Sequence, residues 1–172
     1  MSKLLAELSG GDRRSIGKSN LVVRKVLDEP THFAAIIDGL SNEDAVVRMR
    51  CADVAEKVSA VHPHWLSSHK STLLDLAAKS TEQELRWHLA QMLPRLNLDR
   101  KELLKSVEIM QVYLSDRSNI VKTFAMQALA DFAINDVILK RKLLPQFEGY
   151  AQNGSPSMRA RARKLIIRLN RS

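Results

Sequence analysis

The stretch VRMRCADVAEKV, Val47 to Val58, decides how this chain is read. It returns as LRWHLAQMLPRL from Leu85, as VKTFAMQALADF from Val121 and as MRARARKLIIRL from Met158. The start-to-start spacings are 38, 36 and 37 residues (47 to 85, 85 to 121, 121 to 158). Each copy opens on an apolar residue followed by a basic one. Small or apolar residues then recur at helical spacing. A fixed period of this size marks an array of helical repeats, each too small to bury its own apolar face alone.

The totals agree with an all-α chain. Among 172 residues, Gly (6) and Pro (5) are scarce and aromatics make up only 5%, so the core must be mostly Leu, Ala, Val and Ile. No apolar run approaches the roughly 18–20 residues of a membrane span. The N-terminal apolar stretch is too short for a secretory signal, and the expected location is the cytoplasm. A single cysteine, Cys51, excludes an internal disulfide and a Cys-rich metal site. The five His residues show no ligand spacing, so neither a metal nor another cofactor is expected.

The net charge of +8 is unevenly placed. Residues 1–138 carry 18 basic and 18 acidic side chains, whereas residues 139–172 carry 9 basic and 1 acidic. The whole excess therefore sits at the C-terminal end. It reads either as a site for an acidic partner or as a solvated terminal helix.

Taken in order, residues 1–14 mix a short apolar run with the breaker cluster Ser9-Gly10-Gly11-Asp12, and read as a tail that is disordered or partly helical. Residues 15–172 read as one repeat domain. A first helix starts near Ser15 and ends before Asp28. Thr31 is the expected cap of a second, which stops near Gly39. Asn42 to Asp44 open the third helix, and Pro63 ends it. A fourth runs from about His64 to Ala78. Pro94 predicts a kink or an early end in the second copy, and Asp99 caps the helix that follows it. An eighth helix, from about Val137 to Ala151, contains Pro145. Ser155-Pro156 is a helix start, with Ser as the cap and Pro at the first helical position.

Each unit is thus a helix A, a short turn and a helix B. This pattern resembles the HEAT repeat. The turn residues are Asn42, Ser80, Asp116 and Asn153. The apolar-basic pairs are Val47-Arg48, Leu85-Arg86, Val121-Lys122 and Met158-Arg159. LLPQF, Leu143 to Phe147, is similar to the A helix of such repeats. The resemblance covers residues 16–170 in four units. It implies a right-handed α-α superhelix, a solenoid of about four helix pairs. It says little about function, because the fold hosts adaptors, scaffolds and some nucleic-acid binders.

A helical wheel sorts helix B. Counting from the basic residue as zero, positions −1, +3, +7 and +10 share a core face. They are Val47, Cys51, Ala55 and Val58 in the first copy and Met158, Ala162, Ile166 and Leu169 in the last. The ladder Arg48, Arg86, Lys122 and Arg159 edges that face. It reads more readily as side chains reaching turns or neighbouring helix ends than as a basic track, with Arg48 paired to Asp44 one turn earlier. Positions +1, +2, +5 and +9 are the expected concave surface. The candidate partner-binding residues on it are Arg50, Asp53, Lys57, Trp87, His88, Gln91, Arg95, Phe124, Gln127 and Asp131. Trp87 and Phe124 are the candidate anchors, because aromatic and Arg side chains carry many interfaces.

Three functions are weighed. The first is a non-catalytic scaffold or protein-interaction module that takes a protein or peptide on the concave face. The second is nucleic-acid binding, with Arg161, Lys164 and Arg168 as candidate phosphate contacts. Asp53 and Asp131 interrupt the basic track that this would need. The third is catalysis. HEAT-like alkylpurine DNA glycosylases use Trp and Asp on concave helices, and Trp87 resembles the aromatic part. One turn later, however, stands Gln91 rather than a carboxylate, and no other catalytic constellation is visible, so no enzyme activity is expected.

Overall fold

All four copies of the repeat start their B helix at one backbone register. The backbone N–H of the basic residue donates to the carbonyl four residues before it, as Arg48 to Asp44, Arg86 to Glu82, Lys122 to Ser118 and Arg159 to Ser155. The turn residue ahead of each of the first three helices also does one job. Asn42 Oδ1 accepts from the Asp44 N–H at 2.9 Å, Ser80 Oγ from the Glu82 N–H at 3.3 Å, and Asp116 Oδ1 from the Ser118 N–H at 2.7 Å. Side chains that hydrogen-bond the backbone two residues on set such turns. The period seen in the sequence is therefore a repeat of structure.

The computed structural model describes residues 3–12 and 15–171, and these contain helices and turns but no strand. The α-helices are α1 (Lys3–Ala6), α2 (Ser19–Asp28), α3 (Phe33–Asp38), α4 (Ala45–Val61), α5 (Lys70–Lys79), α6 (Gln83–Met92), α7 (Arg100–Tyr113), α8 (Asn119–Ala133), α9 (Val137–Asn153) and α10 (Pro156–Arg171). The B helices are α4, α6, α8 and α10. None of the described helices is long and apolar enough to cross a membrane. The chain forms two compact units, Met1–Leu96 and Asn97–Ser172.

In the first unit α4 is the hub, with α2, α3 and α6 packed around it. Its N-cap is Asp44, whose carboxylate accepts from the Val46 N–H at 2.8 Å. It ends at Val61, ahead of Pro63. Two local expectations are corrected here. Thr31 caps no helix: it lies in a 3-10 turn, Pro30–His32, with its hydroxyl donating to Glu29, and α3 starts at Phe33. The stretch read as a helix from His64 is a 3-10 segment, Pro63–His69, and α-helix begins only at Lys70. Pro94 stops α6 at Met92, and the chain tightens into a 3-10 turn, Leu93–Arg95.

In the second unit α8 packs on α7, α9 and α10, and α9 packs on α10. Asp99 and Glu102 close a capping box at the start of α7. Asp136 caps α9, which continues through Pro145.

The apolar stripe of the B helices is buried as its spacing predicts, from Val47, Cys51, Ala55 and Val58 to Met158, Ala162 and Leu169. Ile166 is the exception. It is only partly covered, and its neighbour Leu165 takes the buried position at 2% exposure.

The stretch read as a tail is partly placed. Residues 1, 2, 13 and 14 lie outside the described residues, as does residue 172. Leu4, Leu5 and Leu8 are buried in the first unit.

Candidate interaction surface

In the first unit the polar side of α4 is spent inside the fold. Arg50 is 3% exposed, Asp53 6% and, from α6, His88 1%. The Arg50 guanidinium donates to the carbonyls of Leu8 (2.8 Å), Gly10 (2.7 Å) and Ser15 (3.1 Å), with longer bonds to those of Ser9 and Asp12. The N-terminal segment thus lies across the position that the wheel left open. Gly17, at φ +53°, belongs to the same arrangement, since a Cβ there would sit 2.7 Å from Arg50 Cζ.

Asp53 accepts from Lys57 Nζ at 2.8 Å, and Lys57 also donates to Asn20 of α2 at 2.8 Å. Burial pushes the Asp53 carboxyl up. The facing His88 ring and the Lys57 ammonium pull it down more strongly, and it rests below the usual carboxylate range. His88 Nδ1 lies 2.5 Å from the Glu84 carbonyl. A carbonyl only accepts, so this nitrogen carries the hydrogen. Nε2 is left buried without a hydrogen-bond partner, 3.9 Å from Asp53 Oδ1.

Trp87 is half-buried and its ring stacks on that of His88, with centroids 3.4 Å apart. Gln91 donates to the Trp87 carbonyl at 3.3 Å. Arg95 reaches back to α4, to the Glu56 carbonyl at 2.7 Å, the Ser59 hydroxyl at 2.8 Å and the Glu56 carboxylate. Of the residues named for this unit, Lys57, Trp87, Gln91 and Arg95 retain partial exposure.

The second unit presents its candidates on one connected surface. The Arg161 guanidinium carbon sits over the Phe124 ring, 5.7 Å from its centroid, and Arg161 Nη1 donates to Gln127 Oε1 at 2.8 Å. Gln127 Nε2 donates to Asp131 Oδ1 at 3.1 Å, and the same carboxylate oxygen receives Arg168. Phe124, Arg161, Gln127 and Asp131 are half-buried, and Arg168 and Lys164 are exposed. Two of the three candidate phosphate contacts are therefore engaged with acceptors on α8.

Two of the four ladder residues, Arg48 and Arg86, serve the turns. Arg48 donates to the carbonyls of Asn42 and Glu43 and pairs with Glu82 at 2.7 Å, not with Asp44. Arg86 donates to the Ser80 carbonyl at 2.8 Å. In both copies the basic side chain holds the carbonyl six residues before it.

One feature has no counterpart in the sequence reading. His62, His64 and Trp65 form an aromatic group, with His62 stacked on Trp65 at 4.5 Å and Phe33 edge-on to Trp65 at 5.7 Å. Beside it opens a shallow groove of about 280 Å³ lined by Pro30, Phe33, Trp65 and His69. The run HPHW, His62 to Trp65, was the available signal. Among the described residues, no three His, Cys, Asp or Glu side chains come together as a metal set.

No protein-family model, curated protein or solved structure matches the chain.

Proposed function

We propose that this chain is a HEAT-like repeat module that acts by binding a protein or peptide, without catalysis. The observation that carries the reading is the pairing of Arg161 with Phe124. The guanidinium lies over the ring and is held in place by Gln127, and both side chains keep part of their surface in solvent. Half-exposed arginine and aromatic groups fixed before a partner arrives lose little freedom on binding, and these residue types anchor interfaces. The mixed charge of this surface, with Asp131 between Arg161 and Arg168, suits a protein better than a phosphate backbone. Within the first unit, half-buried Trp87 is a separate candidate anchor.

The test is capture of partners by the wild type and by a Phe124→Ser/Arg161→Ser variant of matched melting temperature. Proteins retained by the wild type and lost from the variant support the reading, and equal retention sinks it. Anisotropy of labelled DNA and RNA across a salt series examines the other reading. Binding that falls steeply with salt and is lost on changing Lys164 to Ala would move the assignment to nucleic acid.

A further inference from the structure

Within each unit the second B helix has a side turned back to the first, and the first has a side turned forward to the second. The hydrogen bonds define them. Arg161 and Arg168, on the backward side of α10, hold Gln127 and Asp131 of α8. Arg95, following α6, holds Glu56 and Ser59 of α4. Counted from the basic residue, the forward side therefore includes positions +1, +4, +8 and +11. In α8 these are Thr123, Met126, Ala130 and Ala133, all buried, and three of them are 0% exposed. In α4 the corresponding Met49, Ala52 and Ser59 are buried too, while Glu56 at +8 is half-buried beneath Arg95.

The same positions in α10 are Ala160, Arg163, Ile167 and Asn170. All four are exposed, and Ile167 is open at 52%. Arg159, Lys164 and Arg171 surround them in solvent, and α10 contains no acidic residue. α10 thus exposes the side whose counterpart in α8 is buried among helices. Its apolar centre is ringed by cations that have no carboxylate on their own helix.

We propose that the forward side of α10, centred on Ile167 and Arg163, docks an acidic amphipathic helix of a partner protein. The helical form follows from what covers the equivalent side of α8. The acidic rim follows from charge, because complementary potentials favour such a partner and oppose a second copy of this same basic side. Ala160 leaves room for close approach, and Ile167 supplies the buried contact. This surface is separate from the Arg161–Phe124 surface and does not depend on it.

The experiment uses the full chain and a labelled synthetic peptide of about five helical turns, Leu on one face and Glu on its flanks. A scrambled peptide of identical composition and a labelled DNA duplex run beside it. Micromolar binding of the amphipathic peptide, well above the scrambled one, is expected. Ile167→Ser should weaken it about tenfold and Arg163→Glu at least as much, with unchanged melting temperatures. Equal binding of the two peptides, or no effect of Ile167→Ser, overturns the proposal. So does tighter binding of duplex that ignores Ile167, which would make the surface a polyanion site. Self-association in sedimentation that Ile167→Ser abolishes also overturns it, because the occupant would be a second copy.

Discussion

Arg50 Nη1 donates a 2.8 Å hydrogen bond to the carbonyl of Leu8, across 42 positions of sequence. Among the described residues, the partners of this buried guanidinium are the backbone carbonyls of Leu8, Ser9, Gly10, Asp12 and Ser15. A guanidinium has five N–H donors and no acceptor, so carbonyl oxygens satisfy it fully. In return it ties down the glycine-containing stretch from Leu8 to Asp12, which lies outside any helix. Arg50→Met should destabilise the protein by about 3 kcal/mol, since several charge-assisted bonds are lost together. Urea unfolding measures the loss. Hydrogen exchange over residues 4–12 should accelerate in parallel, and continued protection there would mean that something else holds the segment.

Gly39 and Cys51 form a second close relationship in the same unit. A Cβ at Gly39 would stand 2.4 Å from Cys51 Sγ and 2.9 Å from a methyl of Leu5. Gly39→Ala is therefore expected to cost about 2 kcal/mol by overpacking. Cys51→Ala removes the sulfur and should recover part of that cost. The double variant would then be more stable than the sum of the singles predicts, a coupling that a thermodynamic cycle reads directly. Additive effects would show that the strain is relieved elsewhere.

What was legible in the sequence was whatever repeats. The B-helix stripe, the first three turn residues and the stops at Pro63 and Pro94 follow from local chemistry that the chain repeats or marks with a proline, whereas the fourth expected turn residue, Asn153, is the last residue of α9. The polar side of α4 was not legible. A wheel gives one helix one buried stripe, whereas α4 is packed on several sides, by α2, α3 and α6, with the N-terminal segment over Arg50. Charge at positions +2 and +5 read as exposure, yet Arg50 and Asp53 are buried because carbonyls and Lys57 satisfy them. Ile166 failed at a single position: Leu165 takes the buried place between Ala162 and Leu169, which keep theirs.

The Arg48–Glu82 pair links the turn of one repeat to the start of the next. Glu82 is the N-cap residue of α6, and Arg48 also holds the Asn42 and Glu43 carbonyls. Arg48→Ala should cost more than Glu82→Ala, because only the former leaves two turn carbonyls without their donor. The coupling between the two side chains themselves should be about 0.5–1 kcal/mol, the range of partly exposed pairs. Chemical unfolding of the four proteins of the cycle gives both quantities. Equal losses from the two single variants would assign Arg48 to the salt bridge alone.

Cys51 is wholly buried, and burial pushes its thiol up to about 12. The thiolate is the reactive form, so the native protein should resist both a disulfide reagent and an alkylating one at pH 8. Modification should proceed only through opening of the first unit, at a rate that rises with urea as unfolding does. Fast reaction in native buffer would contradict the placement of Cys51 in the core.

The sign of the pH dependence follows from Asp53 and Asp136, both held below their ordinary values. For Asp53, burial acts upward but the facing His88 and Lys57 prevail. For Asp136, the Leu139 backbone N–H lowers it first and the Arg100 guanidinium second. A carboxyl depressed on folding stabilises fully above its unfolded value, near about 3.9, and that contribution disappears as pH falls through the folded value. Stability should therefore drop as pH falls below about 4. Asp53→Asn removes one of the two groups, so the variant melts lower than the wild type at pH 7 but loses less on acidification. The gap in melting temperature should narrow steadily below about pH 4. A gap of constant width down to about pH 2 would show that the variant's cost is steric and that the Asp53 charge contributes nothing.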